Sequence, residues 1–524
     1  MHRRDREVRS SKAIDGLKVS AGPFFIFSNM KILTPTNDGA IDLVLDTLRH
    51  EKQCLVFANT KRSAEKAAED ISKVIKESSK ELGDLSRQVL KALSRPTMQC
   101  ERLAKCVKKG IAYHHAGLVG KQKELIENAF RNKLVKVICA TPTLAMGINI
   151  PAFRAIIKEL RRYGGRGLDW IPVLEYYQMA GRAGRPGYDE HGEAIVVANN
   201  ESHKKKIHEL YISGEPEDIY SKLAVEPALR TYLLSLIATG YVRDEKEIIG
   251  FFKKTFWAFQ FRDMEKLRVI IHKMIGLLLD WGFIESSAGS EDFQSALDLE
   301  NNKYKASIIG KRVAELYIDP YTADFVIGCL KRAKEETRSL SLLLVLSNTL
   351  EMRPLLSVRV KDEEMIDKVL LKHSDELLMS VPNCYEPFYD GFQRAVKTAM
   401  VFEEWVNEKD EETLLEEFGI RPGEIRVKLE RADWLLYAAE EIAKLMKPRP
   451  PVKELIKLRL RLKYGVKEQL LPLVRLEGIG RARARKLYFY GIKDLGDVKR
   501  ASVSKLISVL GKKVGEDVKR QVGG

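Results

Sequence analysis

The sequence predicts an α/β lobe on a parallel sheet followed by mostly α domains, on three observations. Between residues 53 and 198, short apolar runs alternate with stretches of helical period, the pattern of strands joined by helical crossovers. From residue 201 onward the apolar residues recur almost wholly at helical spacing. The chain has 524 residues and a formal charge of +16, and nineteen Lys/Arg against seven Asp/Glu place twelve of those charges within residues 451–524. Such an excess suits an anionic partner, with nucleic acid the leading candidate. The length has room for roughly three to four domains, each with its own core.

Residues 1–39 show no regular pattern and read as a remnant or linker, as if the chain started within a domain. Pro35 and Asn37-Asp38-Gly39 mark a loop before a helix over 40–50. Gln53-Cys54-Leu55-Val56-Phe57-Ala58 is a buried-strand run, followed by a polar loop over 59–63 and a helix over 64–76. Ile111-Ala112-Tyr113, the loop His114-His115-Ala116-Gly117-Leu118 and a helix through Asn132 repeat the unit. Residues 134–140 form a third strand, Thr141-Pro142-Thr143 the loop after it, and residues 194–198 a last strand. A parallel sheet of this kind gathers its polar loops at the strands' carboxyl ends, where ligands sit.

Residues 178–187, Gln-Met-Ala-Gly-Arg-Ala-Gly-Arg-Pro-Gly, organise the lobe. Arg182 and Arg185 share a face if helical, two planar cationic forks suited to a phosphate chain. Gly181 and Gly184 would each cost about 1 kcal/mol in a helix, so they mark close backbone approach to a partner surface. Before them, residues 155–172 carry apolar, β-branched ends around a glycine-rich basic tip, which reads as a β-hairpin. No GxxxxGK[ST] occurs, and Asp189-Glu190-His191-Gly192 follows a loop instead of an apolar strand, so it is read as a turn.

Helices over 201–280 lead to Trp281-Gly282-Phe283-Ile284 and an answering Tyr304-Lys305-Ala306-Ser307-Ile308, a winged-helix pattern. Residues 310–446 are helical, with 340–346 buried. In the helix over 422–445, Arg426 and Trp434 lie eight residues apart, roughly 80° round the axis. That face can hold a phosphate and stack a base, or Trp434 is simply core. Lys447-Pro448-Arg449-Pro450-Pro451 is a stiff linker to a basic end.

Six cysteines (Cys54, Cys100, Cys106, Cys139, Cys329, Cys384) lack any CxxC pair, so neither zinc nor a disulfide framework is indicated and a reducing compartment fits. His114 and His115 point apart with no third ligand near, and no metal site is expected. No apolar run nears the ~18 residues of a membrane span. The Arg-rich start lacks a signal peptide's apolar core, so a soluble, cytoplasmic protein is expected, nuclear if the source is eukaryotic.

Phe57-Ala58-Asn59-Thr60-Lys61-Arg62-Ser63-Ala64-Glu65, residues 114–118, Ala140-Thr141-Pro142-Thr143-Leu144-Ala145-Met146-Gly147-Ile148-Asn149-Ile150-Pro151-Ala152 and residues 178–186 resemble motifs IV, IVa, V and VI of superfamily 2 helicases. Their order and spacing are those of the second RecA-like lobe, here residues 40–200. The resemblance implies ATP with Mg²⁺ as cofactor, held mainly by a first lobe that these residues do not include. It makes Arg182 and Arg185 the arginine fingers that stabilise the transferring phosphoryl group and Gln178 the residue that orients them. Gly147 and Asn149 face the nucleotide, while Thr60, His115, Gly117 and Thr141 touch the nucleic-acid backbone. Thr60 and Thr141 read equally as helix caps.

The region resembles the archaeal Hjm-type DNA helicases most, in which a hairpin at residues 155–172 pries the duplex apart. Arg162 and Tyr163 then meet nucleic acid, with Tyr163 or Trp170 stacking on the last base pair, unless this is an ordinary surface hairpin. The resemblance makes residues 201–309 a winged-helix domain acting as a brace and 310–446 a helical ratchet domain. Its arginine stands seven residues before the tryptophan, where this chain has Val427, which leaves Arg426 and Arg431 as alternatives. Residues 447–524 join a basic linker to a resemblance of a helix-hairpin-helix, in which Gly478 and Gly480 offer N–H groups to a phosphate beside Arg481, Arg483 and Arg485. The implied function is ATP-dependent DNA unwinding, 3′ to 5′, on single-stranded and forked DNA, by a monomer working with replication and repair proteins. The rivals are an ATPase-dead nucleic-acid-binding fragment and an RNA-remodelling helicase.

Overall fold

The computed structural model describes residues 13–19, 25–33, 35–93, 95–164, 167–184, 189–223, 225–287 and 303–523. The chain forms two compact units, Met1–Asp218 with Arg421–Glu424, and Ile219–Ile420 with Ile425–Gly524.

The first unit holds β1 (Ala13–Val19), β2 (Phe25–Lys31), α1 (Gly39–Arg49), β3 (Cys54–Phe57), α2 (Lys61–Val74), α3 (Lys80–Leu90), α4 (Met98–Val107), β4 (Ile111–His114), α5 (Gly120–Arg131) and β5 (Val137–Ala140). It continues through α6 (Thr143–Gly147), β6 (Arg154–Ile157), β7 (Arg161–Gly164), β8 (Gly167–Trp170), α7 (Val173–Ala180), β9 (Gly192–Val196) and α8 (Glu201–Ile207). Among the described residues the main sheet runs β2-β1-β9-β6-β3-β5-β4. From β9 to β4 its five strands are parallel, with Val56 opposite both Cys139 and Ile156. Every residue of β3, β4, β5 and β6 is buried, as strands covered on both faces must be, so their apolar runs are continuous.

Two sequence expectations change here. Residues 1–39 are not featureless: β1 and β2 form an antiparallel ribbon that adds to β9, with Leu17 opposite Ala194. Gly16 and Asp15 in mid-run hid that strand, since both are poor strand formers. The hairpin is also shorter than 155–172. Ala155, Ile156 and Ile157 belong to β6 within the sheet, and only β7 and β8 pair as the hairpin, Arg161 with Trp170 and Tyr163 with Leu168. A buried Arg154 disguised β6. It is 1% exposed and bonded to Glu193 at 2.8 Å, Asp46 at 3.0 Å, Thr47 at 2.8 Å and the Leu43 carbonyl at 2.9 Å, which offsets the cost of burying its charge.

The backbone leaves α7 through Gly181 and returns against β9. Gly184 has φ +89°, and a Cβ on Gly192 would lie 2.2 Å from the Gly184 nitrogen, so the close approach is to this chain's own backbone. After β9, Ile207 of α8 and Tyr211 are buried in the core of this unit, on the far side of the boundary that the sequence suggested at residue 200.

In the second unit α9 (Glu226–Ala238), α10 (Glu245–Phe252), α11 (Phe256–Phe261) and α12 (Met264–Asp280) precede an antiparallel pair, β10 (Ile284–Ser286) and β11 (Tyr304–Ala306). Then come α13 (Ile308–Leu316), α14 (Pro320–Leu330), α15 (Ser339–Ser347), α16 (Val360–His373), α17 (Tyr389–Val406), α18 (Glu411–Phe418), α19 (Pro422–Leu445) and α20 (Val452–Tyr464). One apolar core joins residues 229–462, and α15 is buried throughout 340–347. A smaller core over 466–518 is built by α21 (Leu471–Val474), α22 (Arg481–Phe489), α23 (Leu495–Arg500), α24 (Val503–Leu510) and α25 (Lys512–Gln521). Among the described residues no helix is long and apolar enough to cross a membrane, and no group of His, Cys, Asp and Glu could hold a metal.

Candidate nucleic-acid interface

The carboxyl ends of β3, β4 and β5 open onto a cleft of about 540 Å³ in the first unit. Thr60, Thr141 and Arg162 line it together with Lys61, Arg62, Ala116 and Arg421, of which the sequence singled out only the first three as nucleic-acid contacts. Thr60 caps α2, its Oγ1 accepting from the Ser63 N–H at 3.0 Å, while the residue itself stays exposed. Thr141 is 8% exposed, and its hydroxyl pairs with that of Thr143 at 2.8 Å. Arg162 gives both Glu175 oxygens a hydrogen bond, at 3.0 and 2.9 Å, so part of its charge is already matched. Arg62 is exposed.

Behind the cleft, Glu65 is the hub. It is 2% exposed, and its Oε1 takes His115 Nε2 at 3.1 Å and Arg421 Nε at 3.1 Å, while Oε2 takes Arg102 at 3.1 Å. Burial pushes the Glu65 pKa up, but His115 and Arg421 outweigh it and hold the carboxyl at about 2. His115 moves the other way from habit: burial lowers its pKa, against the partial opposition of Glu65. Its Nδ1 accepts from the Gly117 N–H at 3.1 Å, so the neutral ring carries its proton on Nε2 and donates to Glu65. Tyr113 stacks on it at 5.5 Å.

The expected backbone contacts of His115 and Gly117 are therefore corrected. His115 is wholly buried, and the Gly117 N–H is spent on it, because the loop turns its polar groups inward to satisfy a buried carboxylate. Ala116 is the exposed residue there. The loop is also held by Arg421–Glu424: Gly423 N–H donates to the Gly117 carbonyl at 3.0 Å, and Lys61 pairs with Glu424. A Cβ on Gly423 would come 2.3 Å from the Leu118 oxygen, so only glycine fits.

Just beyond α7, Arg182 donates through Nε at 3.0 Å, and through Nη2, to the Ala145 carbonyl of α6. Gly147, the last residue of α6, and Asn149 just after it are exposed. Gln178 Oε1 is buried without a hydrogen-bond partner among the described residues, an acceptor left for something else. Arg185 lies outside the described residues.

Tyr163 is 84% exposed on the hairpin, whereas Trp170 is packed, with the Arg161 guanidinium 4.3 Å from its ring centre. In the second unit Arg426 is exposed and only loosely paired with Glu411 at 3.5 Å. Arg431 donates to the Glu351 carbonyl at 3.4 Å and to the Arg353 carbonyl. Trp434 is half-buried, its indole N–H bonded to the Leu316 carbonyl at 3.0 Å. Gly478, at φ +76°, and Gly480 are exposed with open space around them. Arg483 is exposed and reaches the Gly478 carbonyl at 2.6 Å. Arg481 does not supply free charge. It donates to the carbonyls of Gly465 at 2.6 Å, Lys409 at 2.6 Å and Trp405 at 3.2 Å, and sits 4.5 Å from the Trp405 ring centre. Its burial lowers its pKa. Those carbonyls at the end of α17 and α20 capture it before solvent does.

The family model for the helicase conserved C-terminal domain matches residues 39–187, and that for archaeal helicase, domain 4, matches residues 340–465. The ATP-dependent DNA helicase Hel308 of Methanococcus vannielii is 37% identical over 519 residues, 92% of this chain and 67% of the relative. That of Methanocella arvoryzae is 37% identical over 498 residues, covering 93% and 65%, and that of Pyrococcus horikoshii 39% over 487, covering 92% and 66%. The chain thus spans about two thirds of the length of these curated relatives. On this identity and coverage the chain belongs to the Hel308 helicase family.

Proposed function

We propose that this chain is the DNA-handling portion of an ATP-dependent DNA helicase, its first unit serving as the second RecA-like lobe. The observation that supports this most is that Thr60, Thr141 and Arg162 share one cleft with Lys61, Arg62 and Arg421, short hydroxyls among cations at the carboxyl end of a parallel sheet. ATP with Mg²⁺ supplies the phosphoryl transfer that drives movement. Arg182 and Arg185 present charge to the phosphate chain, Gln178 orients them, and Gly147 and Asn149 border the nucleotide. A first RecA-like lobe cradles the remaining phosphates.

The hairpin acts as the wedge with Tyr163 at the junction, and Arg426 and Trp434 track the single strand. The segment over 219–309 is a winged helix and residues 466–523 a helix-hairpin-helix in which Gly478, Gly480 and Arg483 meet a phosphate. Movement is 3′ to 5′ on forked DNA, by a cytoplasmic monomer. The test is binding of the full chain to forked, single-strand-tailed and blunt DNA. Forked and tailed DNA should bind more tightly, with affinity falling steeply as salt rises, whereas a flat salt titration or a preference for blunt duplex contradicts the reading.

A further inference from the structure

Beside the hairpin lies a second groove, of about 720 Å³, lined by Arg161, Trp170, Asn200, His203, Lys205 and Lys206. Its hairpin wall is stiff, because the Trp170 ring sits under Arg161 and meets His203 at 5.5 Å and Tyr211 at 6.0 Å. Its helix wall carries exposed lysines. Lys206 is 3.4 Å from Glu209, and Lys205 has no ion-pair partner among the described residues. Burial and the charge of Arg161 lower the His203 pKa, so the positive charge comes from Arg161, Lys205 and Lys206.

Cations beside short amides, over an open groove, suit a run of phosphates better than a small molecule. Arg161 stands two residues before Tyr163 on β7, on the same side of the strand. Leu168, which also lines the groove, stands opposite Tyr163 in the hairpin, so the groove reaches the register of Tyr163.

We propose that this groove grips the sugar-phosphate backbone of duplex DNA beside the hairpin, holding the duplex while Tyr163 works on its end. The inference rests on the wedge reading of the hairpin. A wedge acts only against a substrate that cannot slide away, and Lys205 and Lys206 supply that resistance.

The test uses the full chain, fluorescence anisotropy with single-stranded, blunt duplex and forked DNA, and the Lys205→Ala/Lys206→Ala double variant. Duplex and fork affinity should fall about tenfold, and the salt slope by about two, one for each phosphate contact. Single-strand affinity should stay within about twofold. Unchanged duplex affinity, or an equal loss on all three DNAs, overturns the groove. Tyr163→Ala, read by 2-aminopurine at the fork junction, addresses the wedge separately. It should remove the fluorescence rise at the junction. A persistent rise with the duplex loss of the lysine variant intact refutes the wedge and leaves the groove as a duplex-binding surface.

Discussion

The Glu65 carboxylate and the Arg421 guanidinium meet at 3.1 Å, although 356 positions of sequence separate them. This contact and the one to His115 make the loop over 114–118 dependent on a single buried charge. The unfolded carboxyl titrates near 4.5 and the folded one near 2, so the stabilisation is present above pH 4.5 and is lost as pH falls towards 2. His115 adds to this in the same direction. Its folded pKa lies below the ordinary 6.5, so the unfolded ring takes a proton that the folded one refuses, and stability starts to fall below about pH 6.5. Glu65→Gln should therefore flatten the acid limb of the Tm-against-pH curve and lower stability by about 3 kcal/mol at neutral pH. An unchanged acid limb would show that the hub is not what acid breaks.

In the cleft, Arg62 is an exposed cation without an ion pair among the described residues. Arg62→Ala should weaken single-strand binding and reduce its salt slope by about one, with no change in Tm. A slope identical to that of the unaltered protein would remove Arg62 from the DNA path.

The chain by itself should show no DNA-stimulated ATP hydrolysis. Supplied with a first RecA-like lobe, in trans or by fusion, it should turn over ATP, and Arg182→Ala or Arg185→Ala should then cost about 10³-fold in kcat. Robust hydrolysis by the chain alone that Arg185→Ala abolishes would contradict the division of labour between lobes.

On α19 the structure separates the two arginine candidates by what they already hold. Arg431 is tied to backbone carbonyls at Glu351 and Arg353, and Arg426 has only a 3.5 Å ion pair. Arg426→Ala should lower the salt slope by about one and leave Tm alone, whereas Arg431→Ala should lower Tm. Trp434→Phe keeps most of the packing and loses the bond to the Leu316 carbonyl, at about 1 kcal/mol. Trp434→Ala that loses stability while the folded fraction binds single strand normally would make the residue core alone.

Arg481→Ala should act on stability and not on DNA. It removes donors to three carbonyls and the contact with the Trp405 ring, and should destabilise the C-terminal region by about 3 kcal/mol. Arg483→Ala, exposed nearby, should reduce the salt slope with Tm unchanged.

The parallel strands were legible because burial on both faces writes itself as an unbroken apolar run, as in Cys54–Phe57. β6 escaped for the converse reason: it opens on a charged residue, and nothing local reveals that Arg154 finds four partners on α1 and β9. Arg62 and Arg421 were missed for different reasons. Arg62 carries no pattern beyond its neighbours, and Arg421 joins the cleft only through tertiary packing. The inward turns of His115 and Arg481 were unreadable, since a polar residue in a motif looks the same whether it faces solvent or a buried partner. Gly184 was correctly read as a close approach, but its neighbour is Gly192 of the same chain.

The ribbon of β1 and β2 has a consequence for handling the protein. β1 occupies the hydrogen-bonding flank of β9 over Gly192–Ala194. A version trimmed to begin at the first helix would leave that flank bare, a row of unpaired amides and carbonyls ready to recruit a strand from another molecule. Such trimmed protein should self-associate, and its solubility, more than its folding, would suffer from the loss of residues 13–31.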